Sequence, residues 1–90
     1  MGRRKKPSGR LRRGPFTASD FETAIKLDGW VSESDGPHSM WRHPSRPGKI
    51  TIDGKWTGVR SGHDAFRGIA TQGGYTSKEL IRLLNGMPLR

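Results

Sequence analysis

Histidine is the one side chain whose ordinary pKa lets it both take and give a proton near neutral pH. His38 stands where such a group is held firmly and left open to solvent. It follows Gly36-Pro37, a pair that forces a turn, and it heads a segment, His38 to His43, that alternates like a strand. If bulky Trp41 faces a core, Arg42 shares the opposite, open face with His38. Lys55 lies beyond the next strand as a second cation across the sheet. An imidazole that moves protons, with a cation that stabilises charge on a phosphorane, is a minimal set for phosphoryl transfer within RNA, whose 2′-hydroxyl is its own nucleophile. The bland alternative for His38 is an exposed strand residue with no role.

The other histidines read differently. His43 precedes Pro44, which restrains its backbone to extended conformations, and is a turn-edge residue. His63 falls near the start of a helix and reads as a surface residue. The three histidines have no spacing typical of metal ligands and the chain has no cysteine, so neither a metal nor a cofactor is expected.

The elements that must position His38 follow from periodicity and turn chemistry. Ser19-Asp20-Phe21-Glu22 reads as a capping box opening a helix that buries Phe21, Ala24, Ile25 and Leu27, with Gly29 ending it. Trp30 to Ser34 is a first strand, His38 to His43 a second, and Lys49 to Ile52 a third, with Pro44 to Gly48 as the turn between the last two. Ala65, Phe66 and Ile69 mark a second helix closed by Gly73-Gly74. Thr76-Ser77-Lys78-Glu79 is a capping box opening a last helix that ends at Asn85-Gly86. The expected fold is therefore α+β, in the order α-β-β-β-α-α, with a three-stranded antiparallel sheet covered by helices on one face. Trp30 and Trp41 read as core. Trp56, set among Lys55, Thr57 and Gly58, is placed to stack on an unpaired base or to meet a protein partner.

Charge divides the 90 residues unequally. Arg3, Arg4, Lys5, Lys6, Arg10, Arg12 and Arg13 precede Pro15 with no acid among them, in a chain of net charge +9. Residues 1–15 thus read as a disordered basic arm and residues 16–90 as one folded domain with a small core. The seven cations are candidates for contact with RNA, since phosphate neutralisation releases counterions. A solubilising tail is the competing reading. No apolar run is long enough to span a membrane and none follows the basic start as in a signal peptide, so a cytoplasmic protein without a membrane partner is expected.

From about Ser19 to Leu84 the chain resembles the HicA family of messenger-RNA-cleaving toxins. Gly36-Pro37-His38 followed by Trp41-Arg42-His43-Pro44 is similar to that family's Gly-Ser-His-His segment with its aromatic and trailing His-Pro. Lys49-Ile50-Thr51-Ile52 matches its basic residue and Val-Thr-Val strand. Phe66-Arg67, Ile69, Gln72 and Gly74-Tyr75-Thr76 fall on its second helix and closing turn. Pro37 stands where the family has serine, Ser39 where a second histidine is frequent, and Asp53-Gly54-Lys55 where Pro-x-His is common.

The resemblance implies a double-stranded-RNA-binding-like fold, metal-independent cleavage of mRNA with His38 catalytic, and a HicB-type antitoxin as partner. Two other classes stay open at this point: a module of the same fold that binds RNA or DNA without cutting it, and a phage protein that binds a host protein.

Overall fold

The computed structural model describes residues 11–34 and 36–89, so Arg3, Arg4, Lys5, Lys6 and Arg10 of the basic run lie outside the described residues. The elements are α1 (Ala18–Leu27), β1 (Val31–Ser34), β2 (His38–His43), β3 (Arg46–Asp53), α2 (Asp64–Gly73) and α3 (Ser77–Leu84). The fold is α+β, with an antiparallel sheet in the order β1-β2-β3 and helices in the expected sequence order.

Helix α1 starts two residues earlier than its sequence suggests. Thr17, not Ser19, is the cap: its side chain accepts from the Asp20 N–H, and the Asp20 carboxylate accepts from the Thr17 N–H at 2.8 Å. Tertiary contacts select this start. Phe16 pairs with Val59 in an isolated bridge, and the Ala18 N–H donates to the Trp56 carbonyl at 3.0 Å. Glu22, freed from capping, instead accepts from Ser39 Oγ on β2 at 2.8 Å, and Ser39 in turn accepts from Trp41 Nε1 at 2.9 Å. Both polar groups on that buried face of β2 are thereby satisfied. Phe21, Ala24 and Ile25 are buried as expected, but Leu27 is exposed at the end of the helix. Helix α3 has the anticipated Thr76/Glu79 capping box, and Gly74 caps α2 in the left-handed conformation.

Side chains alternate along β2 and β3 so that Ser39, Trp41, Ile50 and Ile52 face the helices. They join Phe16, Phe21, Ile25, Trp30, Phe66, Ile69, Leu80 and Leu83 in one core. Strand β3 runs further than the expected Lys49 to Ile52, because only Pro44 and Ser45 form the turn and Arg46 already pairs with His43. The Arg46 guanidinium donates to the Gly73 carbonyl at 3.0 Å and lies 3.5 Å from Asp28, which fixes it in the sheet. Pro47 fits because β3 is an edge strand, where a missing N–H costs no ladder bond.

Behind the sheet, Trp30 Nε1 donates to the Tyr75 hydroxyl at 2.8 Å, and the Tyr75 hydroxyl donates to the Asp28 carboxylate. Burial, and then the bond to Asp28, push the Tyr75 phenol well above the ordinary tyrosine value.

Leu11, Arg12 and Arg13, which charge patterning assigned to the arm, make contacts with the body. Leu11 packs against the core, and Arg12 and Asn85 exchange backbone-to-side-chain hydrogen bonds at 2.9 Å. The Arg12 guanidinium stacks over Phe16 at 4.8 Å and approaches Asp20 to 4.0 Å. The Arg13 carbonyl accepts from the Ser61 N–H at 3.2 Å. Net charge could not reveal this, because these contacts run mainly through stacking, an amide and backbone groups, and the one ion pair, to Asp20, is long.

Candidate active site

The turn before β2 does what its composition requires. Gly36 has a φ of 116°, which side-chain-bearing residues rarely adopt, and Pro37 then delivers the chain into the strand. The Gly54 N–H donates to the Pro37 carbonyl at 2.7 Å, closing the β2–β3 ladder just beyond the pair His38 and Asp53. The first residue of β2 therefore stands directly opposite the last residue of β3.

Asp53 is held from both oxygens. Oδ1 accepts from the Lys55 N–H at 2.9 Å, and Oδ2 lies 3.4 Å from His38 Nε2. At 3.4 Å the contact is electrostatic rather than a hydrogen bond, and the carboxylate's negative charge favours a proton on Nε2, with Nδ1 as the basic nitrogen. The His38 side chain is 62% exposed and that of Asp53 31%, so the imidazole is reachable while its carboxylate partner is partly shielded.

Both residues line a cleft of about 510 Å³. Helix α2 buries Phe66, Ile69 and Ala70 in the core, packs on β3 and reaches that strand's free edge with Gln72. Gln72 Oε1 accepts from the Thr51 N–H at 3.0 Å, satisfying a backbone donor that an edge strand would otherwise leave to solvent. One wall is then His38, Thr51 and Asp53; the other is His63, Asp64, Gly68 and Gln72 from the start and inner side of α2. Trp56 closes one end. Its N–H donates to the Asp53 carbonyl at 3.1 Å, and its half-buried ring meets Phe21 edge-on at 6.0 Å.

The carboxylates of the cleft are paired: Asp53 with His38, and Asp64 with Arg67 at 2.7 Å. Among the described residues no group of three or more His, Asp or Glu side chains is arranged to hold a metal ion.

The structure brings only some of the sequence candidates together. His38 and Trp56 share the cleft, positioned by Gly36 and Pro37 in the case of His38. Arg42 does lie on the His38 side of β2, but its Nε is 3.2 Å from Glu33 of β1 and it is not among the lining residues. Lys55 contributes its backbone N–H to Asp53 while its exposed side chain lies outside the lining. His43 is structural: Nδ1 accepts from the Ser45 N–H at 2.9 Å, and Nε2 meets the Asp28 carbonyl at 2.8 Å.

Two groups escaped the sequence reading. Asp53 was legible in principle, since pairing Trp41 with Ile50 on the buried face places His38 opposite Asp53 in the same register. His63 was not, because nothing local tells which side of β3 a following helix will flank.

Comparison with protein families, with curated proteins and with solved structures returns no match for this chain. The likeness to HicA toxins rests on the sequence segments alone. No helix of the described residues is long and apolar enough to cross a membrane.

Proposed function

We propose that this chain is a metal-independent endoribonuclease acting on mRNA in the cytoplasm, the activity implied by its resemblance to HicA-family toxins, with His38 as the proton-transfer group. The observation that carries the reading is the exposed His38 imidazole backed by Asp53 at 3.4 Å, at the mouth of a cleft with room for a nucleotide. His38 Nδ1 takes the proton of a ribose 2′-hydroxyl, and the 2′-oxygen bonds to the adjacent phosphorus. The P–O5′ bond breaks, and the proton returns from His38 to the departing 5′-oxygen. The products are a 2′,3′-cyclic phosphate and a 5′-hydroxyl end. Asp53 fixes the ring and favours the transient imidazolium. Trp56 offers a ring against which an unpaired base stacks.

The basic N-terminal run supplies sequence-independent attraction to phosphates, and a HicB-type antitoxin is the partner that would cover the cleft. A test is incubation of the protein with single-stranded RNA in EDTA, beside the same sequence as 2′-O-methyl RNA. Cleavage of the first to cyclic-phosphate ends and none of the second is the expected result.

One observation favours a second reading, an RNA-binding module that does not cut: Arg42 and Lys55 stand outside the cleft lining. Binding of both oligonucleotides with cleavage of neither would select it.

A further inference from the structure

We propose that His63 is a second catalytic group of the cleft, supplying a fixed N–H donor to a phosphoryl oxygen of the RNA; this deepens the ribonuclease reading and rests on it. His63 and His38 line the same cleft from separate elements, His63 from the start of α2 and His38 from the start of β2. Both side chains therefore border the space that a ligand in the cleft would fill.

What His63 can do is set by its cap. Its Nδ1 accepts from the Ala65 N–H at 3.0 Å, and its backbone is held by its own N–H to the Arg60 carbonyl at 2.9 Å and its carbonyl from the Arg67 N–H at 3.1 Å. An imidazole that accepts at Nδ1 carries its proton on Nε2. Among the described residues no hydrogen bond engages that Nε2, and the side chain is exposed at the cleft.

A neutral ring with Nδ1 occupied does not surrender its Nε2 proton, because an imidazolate would result. It donates a hydrogen bond instead. The group whose charge grows as the 2′-oxygen bonds to phosphorus is a non-bridging phosphoryl oxygen, and a preoriented donor stabilises that charge more in the transition state than in the bound substrate. His38 takes and returns the one proton that moves, while His63 keeps its own throughout. His63 thereby fills the role for which sequence singled out Arg42 and Lys55.

His63→Asn separates this role from capping, because asparagine is among the best N-caps and presents an oxygen to the same backbone N–H without a ring donor. The expected result is an unchanged melting temperature with kcat on RNA reduced by roughly 10²–10³-fold and KM little altered. Parent-like kcat in His63→Asn, with the parent active, would overturn the inference and leave the ribonuclease reading standing.

A binding measurement tests the contact between His63 and the RNA separately from catalysis. The histidine ring nitrogens are followed by NMR while the parent is titrated with a 2′-O-methyl oligoribonucleotide. Movement of the His63 Nε2–H signal at saturation supports the contact, and an unmoved signal on a bound complex rejects it.

Discussion

His38 and Asp53 face each other as the first residue of β2 and the last of β3, with Nε2 3.4 Å from Oδ2. The register is pinned from the core side by Trp41 against Ile50 and from the turn side by Gly54 to Pro37. The pair is thus a product of how the sheet is built, and each partner can be changed separately.

Asp53→Asn keeps an Oδ1 for the Lys55 N–H but removes the charge that orients His38. Cleavage should fall by roughly 10²-fold while melting shifts little, because the wrong ring tautomer is no longer disfavoured. Kinetics and thermal melting on one preparation check both halves.

Trp41 is 3% exposed and fills the sheet face between Ile50 and Lys26, whose ammonium lies 5.8 Å from its ring. Trp41→Ala should destabilise by roughly 3–5 kcal/mol and also orphan the acceptor at Ser39. For a domain of this size that is most of its stability, so the variant is expected to be largely unfolded by circular dichroism at room temperature.

Much of this core was legible before the fold was known. Trp30, Trp41, Ile50, Ile52 and Phe66 declare themselves by period, and Thr76 to Glu79 by capping chemistry, because local rules decide those positions. The misreadings share one cause. The cap at Thr17, the early start of β3 at Arg46 and the anchoring of Leu11 to Arg13 are all set by partners distant in sequence: Trp56 and Val59, Gly73 and Asp28, Asn85 and Ser61. The site divides in the same way, His38 being marked by its turn and His63 only by where α2 comes to lie.

The Tyr75 phenol is raised above its ordinary value, chiefly by burial and next by its bond to Asp28. A group whose folded pKa lies above its unfolded value gives stability that is whole below the unfolded pKa and lost as pH climbs towards the folded one. Stability should therefore decline as pH rises above the ordinary tyrosine value of 10.0. In Tyr75→Phe that share of the decline should vanish, along with the tyrosinate absorbance, since this is the chain's one tyrosine. Urea titrations across alkaline pH for the two proteins supply the comparison.

The Arg12 guanidinium is engaged with Asp20 and Phe16, so the basic run is tested on the five cations that precede it in sequence. Deleting residues 1–10 should leave the melting temperature nearly unchanged. It should also reduce the slope of log K against log salt by up to about 3.5 on single-stranded RNA, if Arg3, Arg4, Lys5, Lys6 and Arg10 each meet a phosphate. An unaltered slope in a salt titration would assign the run another purpose.

The central claim is tested most directly by comparing the parent with His38→Ala on one end-labelled single-stranded RNA in EDTA. An exposed imidazole contributes little packing, so the variant should melt and bind RNA like the parent. The account predicts cyclic-phosphate fragments from the parent and a loss of roughly 10²–10⁴-fold in rate for the variant. Equal cleavage by the two proteins, or no cleavage by a well-folded parent, would contradict it.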